Sequence, residues 1–171
     1  MEAHSGLGIA LRETGNLSEA LAEFQKAVSL NPKSWEPRYL SAQTYILQGD
    51  FRHATIELRQ VLQLNPNYPD ALYNLAMAEW HAGDRTAATG DFRKLVRIQP
   101  SDHAVHLQLG RLLREQGDRW DAITEFQAAS AGEPRNPEPR YELAMTLVEL
   151  QHFDDALREF QSICRPIRGT R

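Results

Sequence analysis

The chain has 171 residues, 42% of them hydrophobic and 25% charged, with a formal net charge of -4. That length suits one domain with a continuous core spanning residues 1–171, and the acidic balance excludes a general field that attracts nucleic acid or anionic lipid. A lone cysteine, Cys164, excludes an internal disulfide and any multi-cysteine metal knuckle, while no apolar run approaches the ~18 residues of a membrane span.

The first residues lack a secretory apolar stretch. These features describe a soluble segment without membrane insertion. The compartment stays open, with the cytoplasm preferred.

Residues 1–34 set a pattern that the rest of the chain repeats. Leu7 and Leu11, then Leu17, Leu21, Phe24 and Val28, recur at helical steps, which predicts two amphipathic helices. Gly15 supplies the left-handed residue that ends the first helix. Asn16 follows at the capping place of the second, and Pro32 stops it. Gly6 and Gly8 lie inside the opening helix and are expected to fray it.

Residues 35–68 repeat the layout with Gly49, Asp50 and Pro66, and residues 69–102 with Gly83, Asp84 and Pro100. Residues 103–136 carry Gly117, Asp118 and Pro134. In residues 137–170, Gln151 replaces the turn glycine, Arg168 replaces the closing proline, and Pro166 stops the helix early. Two further markers keep the same step: EPRY begins at Glu36 and Glu138, and EFQ at Glu23, Glu125 and Glu159. Four independent markers therefore share one period of 34 residues, repeated five times. Helices of about thirteen residues are marginal alone. Neither helix of a unit can bury its apolar stripe without neighbours, so the units must stack.

The signature resembles the tetratricopeptide repeat family over essentially the whole chain. The family's Leu-Gly pair appears as Leu7-Gly8 and Leu109-Gly110, and as Leu75-Ala76 and Leu143-Ala144; the second unit departs with Ser41-Ala42. The small second residue lets the two helices of a unit approach closely. The inner alanine is Ala20, Ala54, Ala88, Ala122 and Ala156, and the large residue after it is Phe24, Leu58, Phe92, Phe126 and Phe160. The family tryptophan is missing: His4, Arg38, Leu72, His106 and Arg140 stand in its place, which is expected to weaken packing.

The resemblance implies an all-α fold, a right-handed superhelical solenoid of helix-turn-helix repeats whose first helices line a concave groove. It implies a non-catalytic scaffold that binds a peptide or helix of a partner protein there. The groove positions it implies include Tyr39, Tyr73, Asn74, Met77, Trp80, Leu107, Arg111, Arg114 and Tyr141. Tyrosine and tryptophan supply anchor area, Met77 adapts, Asn74 bonds to ligand backbone, and Arg111 orients a charge. The competing reading packs these aromatics between neighbouring units. Arg111 and Arg114 are read either as a carboxylate clamp or as a solvated pair with Glu115 or Asp118. Acidic Glu2, Glu36, Asp70 and Glu138 open the first helices, as an acidic rim or as stabilisers of helix N-termini.

The family's chaperone-tail clamp is not expected, because no lysine takes a clamp place; Ser5, Ile9, Leu40, Asp70 and Asn74 stand there. His103 and His106 share a helix face but lack a third ligand, so no metal is expected. Adjacent Asp154 and Asp155 point apart. No phosphate loop or nucleophile motif occurs, so neither a catalytic residue nor a cofactor is expected. Arg165, Arg168 and Arg171 read as a frayed basic tail rather than a nucleic-acid contact.

Phe153, Leu157 and Phe160 on the last helix are expected to be partly bare. That suggests a fragment of a longer protein, or a self-associating array joined through its C-terminal helix. Two alternatives therefore accompany the peptide-binding scaffold: a structural or self-associating spacer, and the docking arm of a larger enzyme.

Overall fold

The computed structural model describes residues 1–164; Arg165, Pro166, Arg168 and Arg171 lie outside the described residues. Ten helices occur among them: α1 Glu2–Glu13, α2 Leu17–Leu30, α3 Glu36–Leu47, α4 Phe51–Leu64, α5 Pro69–Ala82, α6 Arg85–Ile98, α7 His103–Gln116, α8 Arg119–Gly132, α9 Pro137–Glu149 and α10 Phe153–Cys164. No strand occurs among the described residues. Each 34-residue unit is one helical hairpin, in a helical-repeat solenoid, and the helices form two compact units, residues 1–91 and 92–171.

The turn inside every hairpin is the same. Gly15, Gly49, Gly83 and Gly117 take positive φ of 83°, 75°, 92° and 92°, a conformation that glycine adopts without a Cβ clash. The amide directly after each of these glycines then reaches back five residues, as Asn16 N does to Leu11 O at 2.9 Å and Asp118 N to Leu113 O at 2.9 Å. Gln151 keeps this geometry without glycine. Its φ is 62°, and His152 N bonds Leu147 O at 2.9 Å.

Helix starts follow the expected capping in part. Asp50 Oδ1 accepts from His53 N at 3.2 Å, and Asp84 Oδ1 accepts from Ala87 N at 3.1 Å. Asn16 and Asp118 do not cap their helices with their side chains. The Asn16 amide turns instead to Thr14 Oγ1 at 3.3 Å. The expected fraying of the opening helix is overturned: α1 runs unbroken from Glu2. Gly8 is buried there, and a Cβ on it would meet the Phe24 ring at 2.5 Å. Gly110 stands in the same relation to Phe126, at 2.6 Å. The missing side chain lets each phenylalanine lie directly on the partner helix, where a fully buried ring contributes roughly 1.5–3 kcal/mol.

Within residues 1–91, Ala42, Ala54 and Leu58 form one apolar cluster with Val61, Ala71, Leu75 and Ala78. The cluster joins the second helix of one repeat to the first helix of the next. Within residues 92–171, Leu109, Leu112, Leu113, Phe126, Ala129, Leu143 and Ala144 are buried.

The place of the family tryptophan is occupied by a recurring contact between a histidine or arginine and a glutamate. His4 Nδ1 meets Glu23 Oε2 at 2.6 Å, Arg38 meets Glu57 at 3.0 Å, His106 Nδ1 meets Glu125 at 2.6 Å, and Arg140 meets Glu159 at 3.1 Å. Each links the first helix of a repeat to its own second helix. His106 uses its other nitrogen on Pro100 O at 3.1 Å, so both ring nitrogens are engaged inside the fold. The third repeat departs, with Leu72 at the basic position and a buried Asp91 at the acidic one. Half-buried pairs of this kind lie between the ~0.2–1 kcal/mol of exposed pairs and the ~1.5–3 kcal/mol of charged hydrogen bonds.

Candidate functional site

In the first compact unit, α3 and α5 carry the expected aromatic positions. Helical spacing places Tyr73, Met77 and Trp80 on one side of α5, and all three are half-buried. Their neighbours Leu72, Leu75 and Ala76 are buried in the stack. One helix thus carries a core stripe and a second stripe of large side chains that the core does not fully absorb. His81 stacks on Phe51 with ring centroids 4.7 Å apart. The Trp80 ring lies 6.4 Å from that of His81.

Tyr39 is packed into an aromatic cluster. Its ring centroid lies 5.0 Å from that of Tyr68 and 6.4 Å from that of Trp35, and Trp35 and Tyr68 are 4.7 Å apart. Asn74 Nδ2 donates to the Tyr39 hydroxyl at 2.9 Å, which ties the second repeat to the third. Burial, with Tyr68 beside it, pushes the Tyr39 phenol up to about 12. For Tyr39, the reading of an aromatic packed between repeats is therefore the observed one. The Asn74 amide meets Tyr39 through one donor, a partner the sequence did not suggest.

In the second compact unit, α7 and α9 present charge instead. Glu142 is buried to 9% exposure and bridges two arginines. Arg111 Nε donates to its Oε1 at 2.8 Å and Arg114 Nη1 to its Oε2 at 2.7 Å. Arg111 Nη2 also donates to Glu138 Oε1 at 2.6 Å. Burial works against the Arg111 charge, but hydrogen bonds to Glu138 and Glu142 outweigh it and hold the guanidinium pKa above its usual value. Arg119 Nε extends the chain of charges to Glu149 at 2.8 Å. The contacts seen for both arginines reach carboxylates of the next repeat. A carboxylate on the next repeat, 31 residues beyond Arg111, reaches both guanidiniums.

Two further expected positions separate here. Leu107 is buried at 6% exposure, so it belongs to the core and not to a binding face. Tyr141 is 52% exposed, with its ring edge-on to Phe160 at 6.0 Å between centroids. The structure thus keeps Tyr73, Met77, Trp80, Arg111, Arg114 and Tyr141 at least partly accessible, while Leu107 is withdrawn. Trp35 and Tyr68 were missed, as was the role of Glu142 as a bridge between two arginines. The signal for Glu142 was present, since it stands one turn beyond Glu138 on a first helix and faces the Arg111–Arg114 pair from the next repeat.

Among the described residues, no three His, Cys, Asp or Glu side chains are grouped to hold a metal ion. No described helix is long and apolar enough to cross a membrane.

Comparison with solved structures places this architecture among known helical repeats. A crystal structure of MamA protein superposes with a TM-score of 0.90 at 17% identity, over 95% of this chain and 88% of that one. MamA 41-end from Desulfovibrio magneticus RS-1 gives 0.87 at 19%, over 95% and 92%. YrrB, described as a TPR protein with an unusual peptide-binding site, gives 0.82 at 19%, over 94% and 82%. At these identities the likeness is one of fold. No curated protein matches the sequence. Three family models described as tetratricopeptide repeat match residues 1–34, 39–103 and 113–163. Repeat period, hairpin geometry and sequence models agree, and the chain belongs to the tetratricopeptide repeat family.

Proposed function

We propose that the protein is a non-catalytic scaffold that recognises a partner protein through an extended peptide or a helix laid along the first helices of its repeats. The observation that carries this reading is the second stripe on α5. Tyr73, Met77 and Trp80 follow helical spacing and stay half-buried, although Leu72, Leu75 and Ala76 already satisfy the core. Large, rigid aromatic surface beside one flexible methionine suits a peptide or helix partner. Tyr39 and Asn74 brace this stripe rather than lead the binding, since they are bonded to each other. Taken by itself, the second unit carries the Arg111–Glu142–Arg114 network and the exposed Tyr141 as polar and aromatic surface. Family membership supports the reading, as does the peptide-binding site named for YrrB.

A peptide library titrated against wild type and a Tyr73→Ala, Trp80→Ala double variant tests the proposal. Anchors of this class carry ~2 kcal/mol or more each, so affinity should fall by ~30-fold per anchor and by up to ~1,000-fold where the two add. Unchanged affinity, with helicity intact by circular dichroism, would exclude the α5 stripe as the recognition surface.

A further inference from the structure

We propose that Glu79 is an acid-responsive latch inside the third repeat: with a proton on its carboxyl, α5 packs tightly on its neighbours, and without one that packing loosens. The residue occupies a core position. Leu11, Tyr45, Leu113 and Leu147 stand at the same place in the other repeats. Leu113 and Leu147 are buried there, and so is Glu79, at 2% exposure. The two carboxyl oxygens of Glu79 differ. Oε1 accepts from Arg59 Nη2 on α4 at 2.8 Å, and that arginine is itself half-exposed. Oε2 is buried and has no hydrogen-bond partner among the described residues. A carboxylate spreads its charge over both oxygens, so part of that charge lies out of water with no donor. A desolvated group of this kind costs far more as an ion than as a neutral acid.

A second departure in the same repeat adds to the first. Asp91 is buried, and the base that meets its counterparts in the other repeats is replaced by Leu72. The third repeat thus buries two carboxylates and removes a positive charge from the same hairpin. The charged groups that act on Glu79 are Arg59 on α4, Asp91 on α6 and Asp84 in the turn between α5 and α6. Burial raises the Glu79 carboxyl above the 4.5 of a free glutamate; the Arg59 hydrogen bond opposes this, and the charges of Asp91 and Asp84 add to it. The folded chain therefore binds this proton more tightly than the unfolded chain does. The resulting stability is complete below pH 4.5 and is lost as pH rises through the folded value. The loss falls first on α5, where Leu75 and Ala78 pack with Leu58 and Val61 of α4. This is also the helix proposed for peptide recognition, but the latch rests on buried charge and its test uses no peptide, so either reading can fail without the other.

Carboxyl-carbon NMR of the full chain reads the titration in the folded state, with the Glu79 signal assigned by its loss in Glu79→Gln. Its midpoint should lie above 4.5. Arg59→Gln, which removes a half-exposed partner, should move the midpoint higher still. Hydrogen exchange at α5 amides, corrected for the intrinsic effect of pH, reads the loosening. Protection in wild type should fall several-fold from about pH 4.5 to about pH 8. Glu79→Gln keeps the shape without the charge, and Glu79→Leu installs the residue of the two later repeats. In both variants most of that fall should disappear, and at the higher pH both should be better protected than wild type. A Glu79 midpoint at or below 4.5 would overturn the latch. So would a wild type whose α5 protection does not change with pH, or an equal loss of protection in wild type and both variants.

Discussion

Gln151 is the position where this repeat array departs from its own rule, and it can be corrected. Its φ of 62° lies in the region where the four equivalent turns use glycine. Both turn hydrogen bonds are kept, Gln151 N to Val148 O at 2.9 Å and His152 N to Leu147 O at 2.9 Å. A Gln151→Gly variant therefore changes backbone strain and leaves the contacts alone. A side-chain-bearing residue in this region costs roughly 1–2 kcal/mol. Glycine returns about 0.5–1 kcal/mol through the greater freedom of its unfolded chain. The net gain is about 0.5–1 kcal/mol, and it belongs to the α9–α10 hairpin. Repeat arrays open locally as well as globally, so the assay should resolve that hairpin. Native-state hydrogen exchange at α9 and α10 amides should slow by ~2- to 5-fold. Gln151→Ala keeps the strained Cβ and should show no gain. Equal protection in both variants, or none in Gln151→Gly, would refute the strain argument.

Three further outcomes follow from other positions in the fold. Gly110→Ala drives a Cβ to 2.6 Å from the Phe126 ring, and overpacking of ~1–3 kcal/mol should exceed the ~1 kcal/mol of helix propensity gained. A lower denaturant midpoint is expected. Gly6→Ala, with nothing within 4 Å of the added Cβ, should raise the midpoint instead. Tyr39 titrates at about 12 in the fold against 10.0 for the free phenol. Its contribution to stability is complete below pH 10.0 and is lost as pH rises toward 12. An ultraviolet titration should show a markedly late tyrosine component that is lost in Tyr39→Phe, whose stability should fall less steeply over that range.

Most of the fold was legible because a repeat states its rules several times. A glycine at the first four turns, an alanine facing a large residue and a proline after the first four hairpins fix the period and the helix limits. These are local backbone and steric requirements. Gly8 shows where local reasoning misleads: its poor helix propensity predicted fraying, but the packing of Phe24 on the bare backbone decides the matter. The basic residues at the absent tryptophan position read as a loss, although each has a glutamate 19 residues later on the opposite helix of its hairpin.

The candidate surface was less legible, because exposure is a property of neighbours. Spacing put Leu107 and Tyr141 on equivalent faces, yet one is buried and the other is open. Likewise, Arg111 and Arg114 have nearby acids in sequence, but Glu142 on the following repeat is the one both guanidiniums reach. The sequence by itself determined the period, the all-helical hairpin and its glycine turns, since each depends on residues close along the chain. Only the tertiary structure decided which side chains the stack consumes and which ions pair, since those depend on distances between helices that no spacing along one helix contains.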